Sequence, residues 1–444
     1  MTRIAVVGAG AAGICAAKHL LAEGSEVVVY EMGSVIGGLW VYENDNGRSP
    51  AYRSLHINSE ADVTSYEDFP FPRGTPLYPR HDVVRGYLVA YADHFGVTPH
   101  IRFHSTVERI EPAEDGQWRV RLARGAEELF DGVVVAPGHQ AVPSHPPFRD
   151  DFTGEYLHVH EYRTPEPFTG KRVLVVGTGN SAFDAAADIC TVTAATVMVA
   201  RSPVLIMPRL LFGIPTARIL AKIEKPWIPW PVRRQIRVLL ASLAHGRMER
   251  WGLVTPKTRT HPASHPTLMI HAAYGRVEFR PDVASVSGIT VRFTDGTAGD
   301  FDVMLAATGY ELDLPFLSPA LVPVRNRRLD LYKRVIVPRL PGLYFVGYFN
   351  VAGGANIRMM GPQARLVSAV VSGRVRLPAP EAMYADIKRE RDLLKRRYPD
   401  RPRYGLELDP TDYRCQIDDL LASGATTGPP PAPADLRAWP ARNG

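Results

Sequence analysis

Apolar residues in this chain gather in short runs that lead into glycine-rich turns. Ile4-Ala5-Val6-Val7 reads as a buried strand and Gly8 to Gly13 as a loop. Ile14 to Glu23 follows as a helix with apolar residues at helical spacing, and Val27-Val28-Val29-Tyr30 as the next strand. A strand–helix–strand unit of about 30 residues is the building block of a doubly wound parallel sheet. The unit recurs: Arg172 to Val176 is a strand, Gly177 to Ala182 a glycine loop, Phe183 to Ile189 a helix and Ala195 to Ala200 the following strand. Glu108 to Val135 has the alternation of a β-meander, clearest in Trp118-Arg119-Val120-Arg121-Leu122, and a similar meander precedes Asp302 to Ala306. Each ends in a glycine turn, Ala136-Pro137-Gly138 or Ala307-Thr308-Gly309, where the chain is expected to leave one domain for another. These divisions predict one domain built from 1–150 and 306–422, interrupted by a second at 151–305. Pro203 to Arg250 is expected to add a helical insertion to the second domain. The Pro/Ala/Gly-rich tail at 423–444 is expected to be disordered.

Composition narrows the function classes. The chain has 444 residues, 45% of them apolar and 22% charged, which is ordinary for a globular protein with a sizeable core. The net charge of +6 is not gathered into basic runs interleaved with aromatics, so no nucleic-acid partner is expected. Cys15, Cys190 and Cys415 lie far apart and form no CxxC pair, which argues against a disulfide framework and against a structural metal site. His261 and His265 sit in a Pro-rich loop without the HExxH arrangement. Ile4 to Val7 runs straight into the glycine loop, unlike a signal peptide, and no apolar stretch is long enough to span a bilayer. The expectation is a cytoplasmic protein. The insertion is the exception to the mixed charge. Nine Lys and Arg residues between Arg209 and Arg250 face only Glu224 and Glu249, with Trp227 and Trp230 among them. It reads as a lid over a substrate channel, with peripheral contact to an anionic membrane as the alternative.

The glycine loops carry the chemistry. In Gly8-Ala9-Gly10-Ala11-Ala12-Gly13, Gly8 permits the tight turn, Gly10 a close approach of backbone to a pyrophosphate, and Gly13 close packing of helix on strand. Glu31 ends the second strand, where a carboxylate accepts hydrogen bonds from ribose hydroxyls; an acid there suits FAD or NAD. The second loop is Gly177-Thr178-Gly179-Asn180-Ser181-Ala182, and Arg201 takes the strand-end position. A guanidinium there pairs with a 2′-phosphate, so this loop should prefer NADP. The predicted fold class is therefore α/β, with two Rossmann-like dinucleotide-binding domains, doubly wound parallel sheets and β-meanders. Hydride flow from NADPH to a bound flavin follows.

Further motifs match a family. Phe152 to Tyr162 (FTGEYLHVHEY) resembles the FxGxxxHxxx(Y/F) fingerprint of the flavin-containing monooxygenases. Gly37-Gly38-Leu39-Trp40, Tyr52 to Pro72, Gly177 to Asp184, Ala307 to Tyr310 and Gly361 to Arg365 match that family's other blocks in order. The resemblance implies FAD and NADPH as cofactors. It implies transfer of one oxygen atom of O₂ to an amine nitrogen or a sulfide sulfur through a flavin hydroperoxide. Baeyer–Villiger oxidation of a ketone is the alternative within enzymes, although Tyr162 stands where those enzymes usually carry Trp. A non-oxygenating flavoprotein is the alternative outside them. The resemblance adds Asn58 as the catalytic residue and Gly38, Leu39, Trp40, Thr308, Gly309 and Gln363 as cofactor-binding residues. It makes His158 a linker residue rather than a base. The expected partners are a small-molecule substrate and O₂, with a homodimer as the candidate assembly.

Overall fold

The computed structural model describes residues 1–223, 227–261, 263–351 and 355–423. The chain packs as two units, one of Met1–Ser49, Ala61–His139 and the chain from Leu312 onward, the other of Pro50–Glu60 and Gln140–Glu311. The expected disorder of the tail concerns residues that, from 424 on, lie outside those described.

In the first unit a five-stranded parallel sheet runs in the order Leu343–Phe345, Gly132–Val135, Arg3–Val7, Glu26–Tyr30, Ile101–Arg102. A parallel sheet is covered on both faces, so its strands are apolar without alternation, and all four residues of Gly132–Val135 are buried. Ala5, Val7, Val133 and Val135 share one core with Ile110, Trp118, Val120 and Phe130. The last four come from the predicted meander, which folds as antiparallel strands Val107–Pro112, Trp118–Leu122 and Glu127–Phe130. Helix Ala11–Ala22 packs along helix Asn356–Val371. The small residues Ala12, Gly13, Ala16 and Ala17 are buried on the shorter helix and allow close approach.

The second unit repeats the plan. Its parallel sheet runs Val277–Arg280, Ala195–Val199, Arg172–Val176, Val303–Ala306, Glu155–His158. Period-two alternation sorts its residues. Val173 and Val175 join the core with Phe183 and Ala186 of helix Asn180–Ile189. Leu174 and Val176 join the core with Val291, Phe293 and Phe301 beside the second meander. The insertion contains helices Thr216–Ile223 and Trp230–His245, preceded by a short hairpin, Leu210–Leu211 against Ile214–Pro215. Of its charged residues, Glu224 and Lys225 lie outside the described residues.

Three segments depart from the sequence-based division. Residues 50–60, 140–150 and 306–311 were expected with the first domain but pack in the second unit. For 50–60 the cause is Tyr52, which is 3% exposed and sits in the same core as Tyr162 and Phe183.

Candidate cofactor sites and the Asn58 network

The two glycine loops share a division of labour. Gly8 has φ +99°, and a Cβ there would lie 2.8 Å from the carbonyl oxygen of Ala136. A Cβ on Gly13 would lie 1.8 Å from the oxygen of Gly8. Both glycines are demanded by the protein's own packing. Gly10 is not: a Cβ there would meet nothing nearer than the Cα of Gly38 at 3.6 Å, an ordinary contact. Its φ of −78° suits any residue. The helix it caps has no side-chain cap and no acid in its first turn, leaving free N–H groups and a positive dipole end. The same holds in the second loop. A Cβ on Gly177, at φ +135°, would lie 2.5 Å from the oxygen of Ala307, whereas Gly179 has open space. An unfilled approach to an uncapped helix start is the cradle a pyrophosphate requires.

The residues around each loop fall into place differently. Gly38, Leu39 and Trp40 form a 3₁₀ turn laid against Gly10, with Leu39 39% exposed. Glu31 is buried. Its Oε2 accepts the N–H of Ala9 at 2.8 Å, and its Oε1 accepts the N–H of Gly33 at 2.8 Å. The carboxylate thus fastens the loop it was expected to serve, and Oε2 keeps a second lone pair for a hydroxyl. Gln363 is fully buried. Its amide oxygen accepts the N–H of Gly347 at 2.8 Å, and its nitrogen donates to the Tyr413 hydroxyl at 3.1 Å and the Arg334 carbonyl at 3.4 Å. All of these partners are internal, so the geometry shows Gln363 holding Gly347 rather than facing a ligand. Near the second loop, the Thr308 hydroxyl donates to the Ser144 carbonyl, and the Gly309 carbonyl accepts the Ser144 N–H at 2.9 Å. Asn180 opens the helix and accepts the N–H of Ser264 at 3.2 Å; Ser181 is exposed. Arg201 is exposed and has no ion pair among the described residues.

Asn58 is exposed, but it is not loose. Its Oδ1 accepts from Nη2 of Arg209 at 2.7 Å. The Arg209 side chain is 10% exposed and pairs at 3.7 Å with Asp184, itself 12% exposed. Asp184 also accepts the Tyr52 hydroxyl at 2.5 Å and contacts His265 Nε2 at 3.2 Å. His265 Nδ1 accepts two backbone N–H groups, from Thr267 at 3.2 Å and Leu268 at 2.9 Å, so Nε2 carries the ring proton toward Asp184. One turn on, Asp188 accepts the hydroxyls of Tyr162 at 2.5 Å and Ser54 at 2.8 Å. Burial, and then the neighbouring Asp184 carboxylate, push the Tyr52 hydroxyl well above its ordinary pKa, so it stays a donor. Asp184 lay inside a matched motif without a role, and Arg209 was read only as one cation of the insertion. The signal was Asp184 and Asp188, four apart on one helical face.

Two further histidines lie nearby in sequence, His158 within the fingerprint and His56 beside Asn58. His158 is fully buried, its Nδ1 accepts the His160 N–H at 3.1 Å, and burial pushes its pKa down to about 4. It is therefore neutral at pH 7. His56 is exposed, with Nδ1 2.7 Å from the Ser54 carbonyl.

Comparison with known proteins identifies the family. The model described as flavin-binding monooxygenase-like matches residues 1–429. The chain belongs to the flavin-binding monooxygenases. It is 32% identical to flavin-containing monooxygenase 5 of Mus musculus, over 94% of this chain and 82% of that one. It is 29% identical to flavin-containing monooxygenase 3 of Homo sapiens, again over 94% and 82%. Among solved structures, S-allyl-L-cysteine S-oxygenase from Allium sativum superposes with a TM-score of 0.73 at 25% identity, covering 95% of this chain and 88% of that one. Cyclohexanone monooxygenase from Rhodococcus sp. Phi1 shares the fold, with a TM-score of 0.70 at 18% identity over 96% and 98%. The matched family is described as flavin-binding, and the cyclohexanone monooxygenase was solved with NADP+ bound. The open approaches at Gly10 and Gly179 fit the phosphates of two such dinucleotides.

The glycine geometry separates stability from ligand binding. Gly13→Ala should cost at least about 1–3 kcal/mol, because backbone must move to admit the methyl group. Gly10→Ala should leave the melting temperature of the flavin-free protein unchanged while lowering flavin occupancy. Calorimetry and the flavin absorbance of purified protein check this, and equal melting losses in the two variants would contradict it.

Proposed function

We propose that this flavin monooxygenase transfers one oxygen atom of O₂ to a soft nucleophile, an amine nitrogen or a sulfide sulfur, and that Asn58 serves the transfer site. Relatives support the substrate class: a rat dimethylaniline monooxygenase named as N-oxide-forming is 30% identical, and the garlic S-oxygenase shares the fold. Tyr162 at the end of the fingerprint favours the same class. When bound, FAD supplies the redox chemistry, accepting hydride from NADPH and activating O₂. The chain's residues bind, orient and donate. Gly8, Gly10 and Gly13, with Glu31 and the Gly38–Trp40 turn, hold FAD in the first unit. Gly177, Gly179, Asn180, Ser181 and Arg201, backed by the Thr308–Gly309 turn, hold NADPH in the second.

The observation that carries the reading is the state of Asn58. Its amide is exposed, does not titrate, and is fixed at its oxygen by Arg209, which leaves two N–H donors to present. A donor held in place before charge develops lowers the barrier to oxygen transfer without needing to reorganise. No side-chain nucleophile is required.

Arg201, exposed two residues past strand Ala195–Val199, is assigned to the 2′-phosphate. The insertion is assigned a second surface role, contact with anionic lipid. Phe212 (85% exposed), Trp227 (77%) and Leu243 (64%) lie among its arginines, the pattern of an interfacial segment. Among the described residues no helix is long and apolar enough to cross a membrane.

Arg201→Ala should weaken NADPH binding by about tenfold or more while barely changing NADH use; equal losses with both would remove the phosphate assignment. Asn58→Ala should keep FAD bound and flavin reduction near normal, yet lower oxygenated product and raise H₂O₂ per NADPH. Stopped-flow reduction run beside a product and peroxide balance, with sulfide, amine and ketone substrates, checks both residue and substrate class. Unchanged coupling would exclude Asn58, and an ester from the ketone would reassign the reaction. Flotation with anionic liposomes should show salt-sensitive binding; none at any ionic strength would leave the insertion as a lid.

A further inference from the structure

We propose that Arg209 is a positioning residue that sets the direction of the Asn58 amide, and that Asp184 sets Arg209. The proposal rests on the reading of Asn58 given above. A guanidinium has donors and no acceptor. The amide atom 2.7 Å from Arg209 Nη2 must therefore be the oxygen, because a flipped amide would set donor against donor. Arg209 thus decides which end of Asn58 is presented: the oxygen is engaged, and the N–H₂ end is the one left to donate elsewhere. Without that contact, an exposed asparagine would sample both amide orientations and several rotamers, and only a fraction of molecules would offer donors to the site.

Arg209 is itself held. Its side chain is nearly buried beside Asp184, and a carboxylate with so little access to water needs donors around its oxygens. Tyr52, His265 and Arg209 provide those donors. Each comes from a different stretch of chain, and Asp184 lies on helix Asn180–Ile189, whose start is the second glycine loop. Asn180 at that start also accepts the N–H of Ser264, the neighbour of His265. The direction of the Asn58 amide is therefore tied, through Arg209 and Asp184, to the helix that opens the NADPH loop.

The test uses the holoenzyme with Arg209→Met, which keeps the apolar stem and removes the donors. Product per NADPH should fall and H₂O₂ per NADPH rise severalfold, with flavin content, melting temperature and flavin reduction rate close to wild type. In an Asn58→Ala background, Arg209→Met should add nothing, because the group it positions is gone. A crystal structure of Arg209→Met should show the Asn58 amide turned or in several positions, while Tyr52 and His265 still contact Asp184. Wild-type coupling in Arg209→Met beside an uncoupled Asn58→Ala, or losses that add in the double variant, would overturn the proposal. If Asn58→Ala itself stays coupled, the role given to Asn58 fails, and an unmoved amide in the Arg209→Met crystal would overturn the positioning claim separately. Should Arg209→Met not fold, Arg209→Lys keeps the charge beside Asp184, but one ammonium does not hold both partners in the same geometry. Intermediate uncoupling is then expected, and full coupling would overturn the proposal.

Discussion

Both units depend on one close approach. Where the strand before each glycine loop ends, the turn passes against the carbonyl that leaves the neighbouring parallel strand. A Cβ would lie 2.8 Å from Ala136 O at Gly8 and 2.5 Å from Ala307 O at Gly177. Only glycine adopts the positive φ and fits the space. From that contact the helix start is aimed, and the approach to its free N–H groups at Gly10 and Gly179 stays open. The repetition of this contact in two sheets of the same plan is the physical content of the duplication seen in the sequence.

The second unit adds a polar constraint. Asp184 gathers a phenol, an imidazole and a guanidinium at a site nearly closed to water. Charge burial of this kind contributes little net stability when replaced whole, but is costly to leave half-satisfied. Its value here is geometric, since it joins the 50–60 segment, the start of the insertion, the 263–268 segment and helix Asn180–Ile189. The histidine serves as a donor in this set through the tautomer that its backbone contacts impose.

Glu31 illustrates how a motif residue acquires two duties. The carboxylate expected at a ribose first satisfies the buried N–H groups of Ala9 and Gly33, so it shapes the loop before any ligand arrives. Gln363 shows the converse. A motif residue expected at a cofactor spends its whole amide on Gly347, Tyr413 and Arg334.

Sequence alone determined the two strand–glycine–helix units, their meanders and the family. Those features are local: the apolar period, the glycine spacing and the short motifs each lie within a few tens of residues. Sequence also named Asn58, through the block from Tyr52 to Pro72. What holds Asn58 was not legible, because Arg209, Asp184 and His265 meet it from distant parts of the chain and nothing in their own neighbourhoods announces the meeting. The placement of residues 50–60 was hidden for the same reason, since it turns on Tyr52 entering a core formed by residues more than a hundred positions away. Periodicity reports which face of an element is buried; which buried polar groups find each other is decided only when the fold brings them within about 3 Å and excludes water around them.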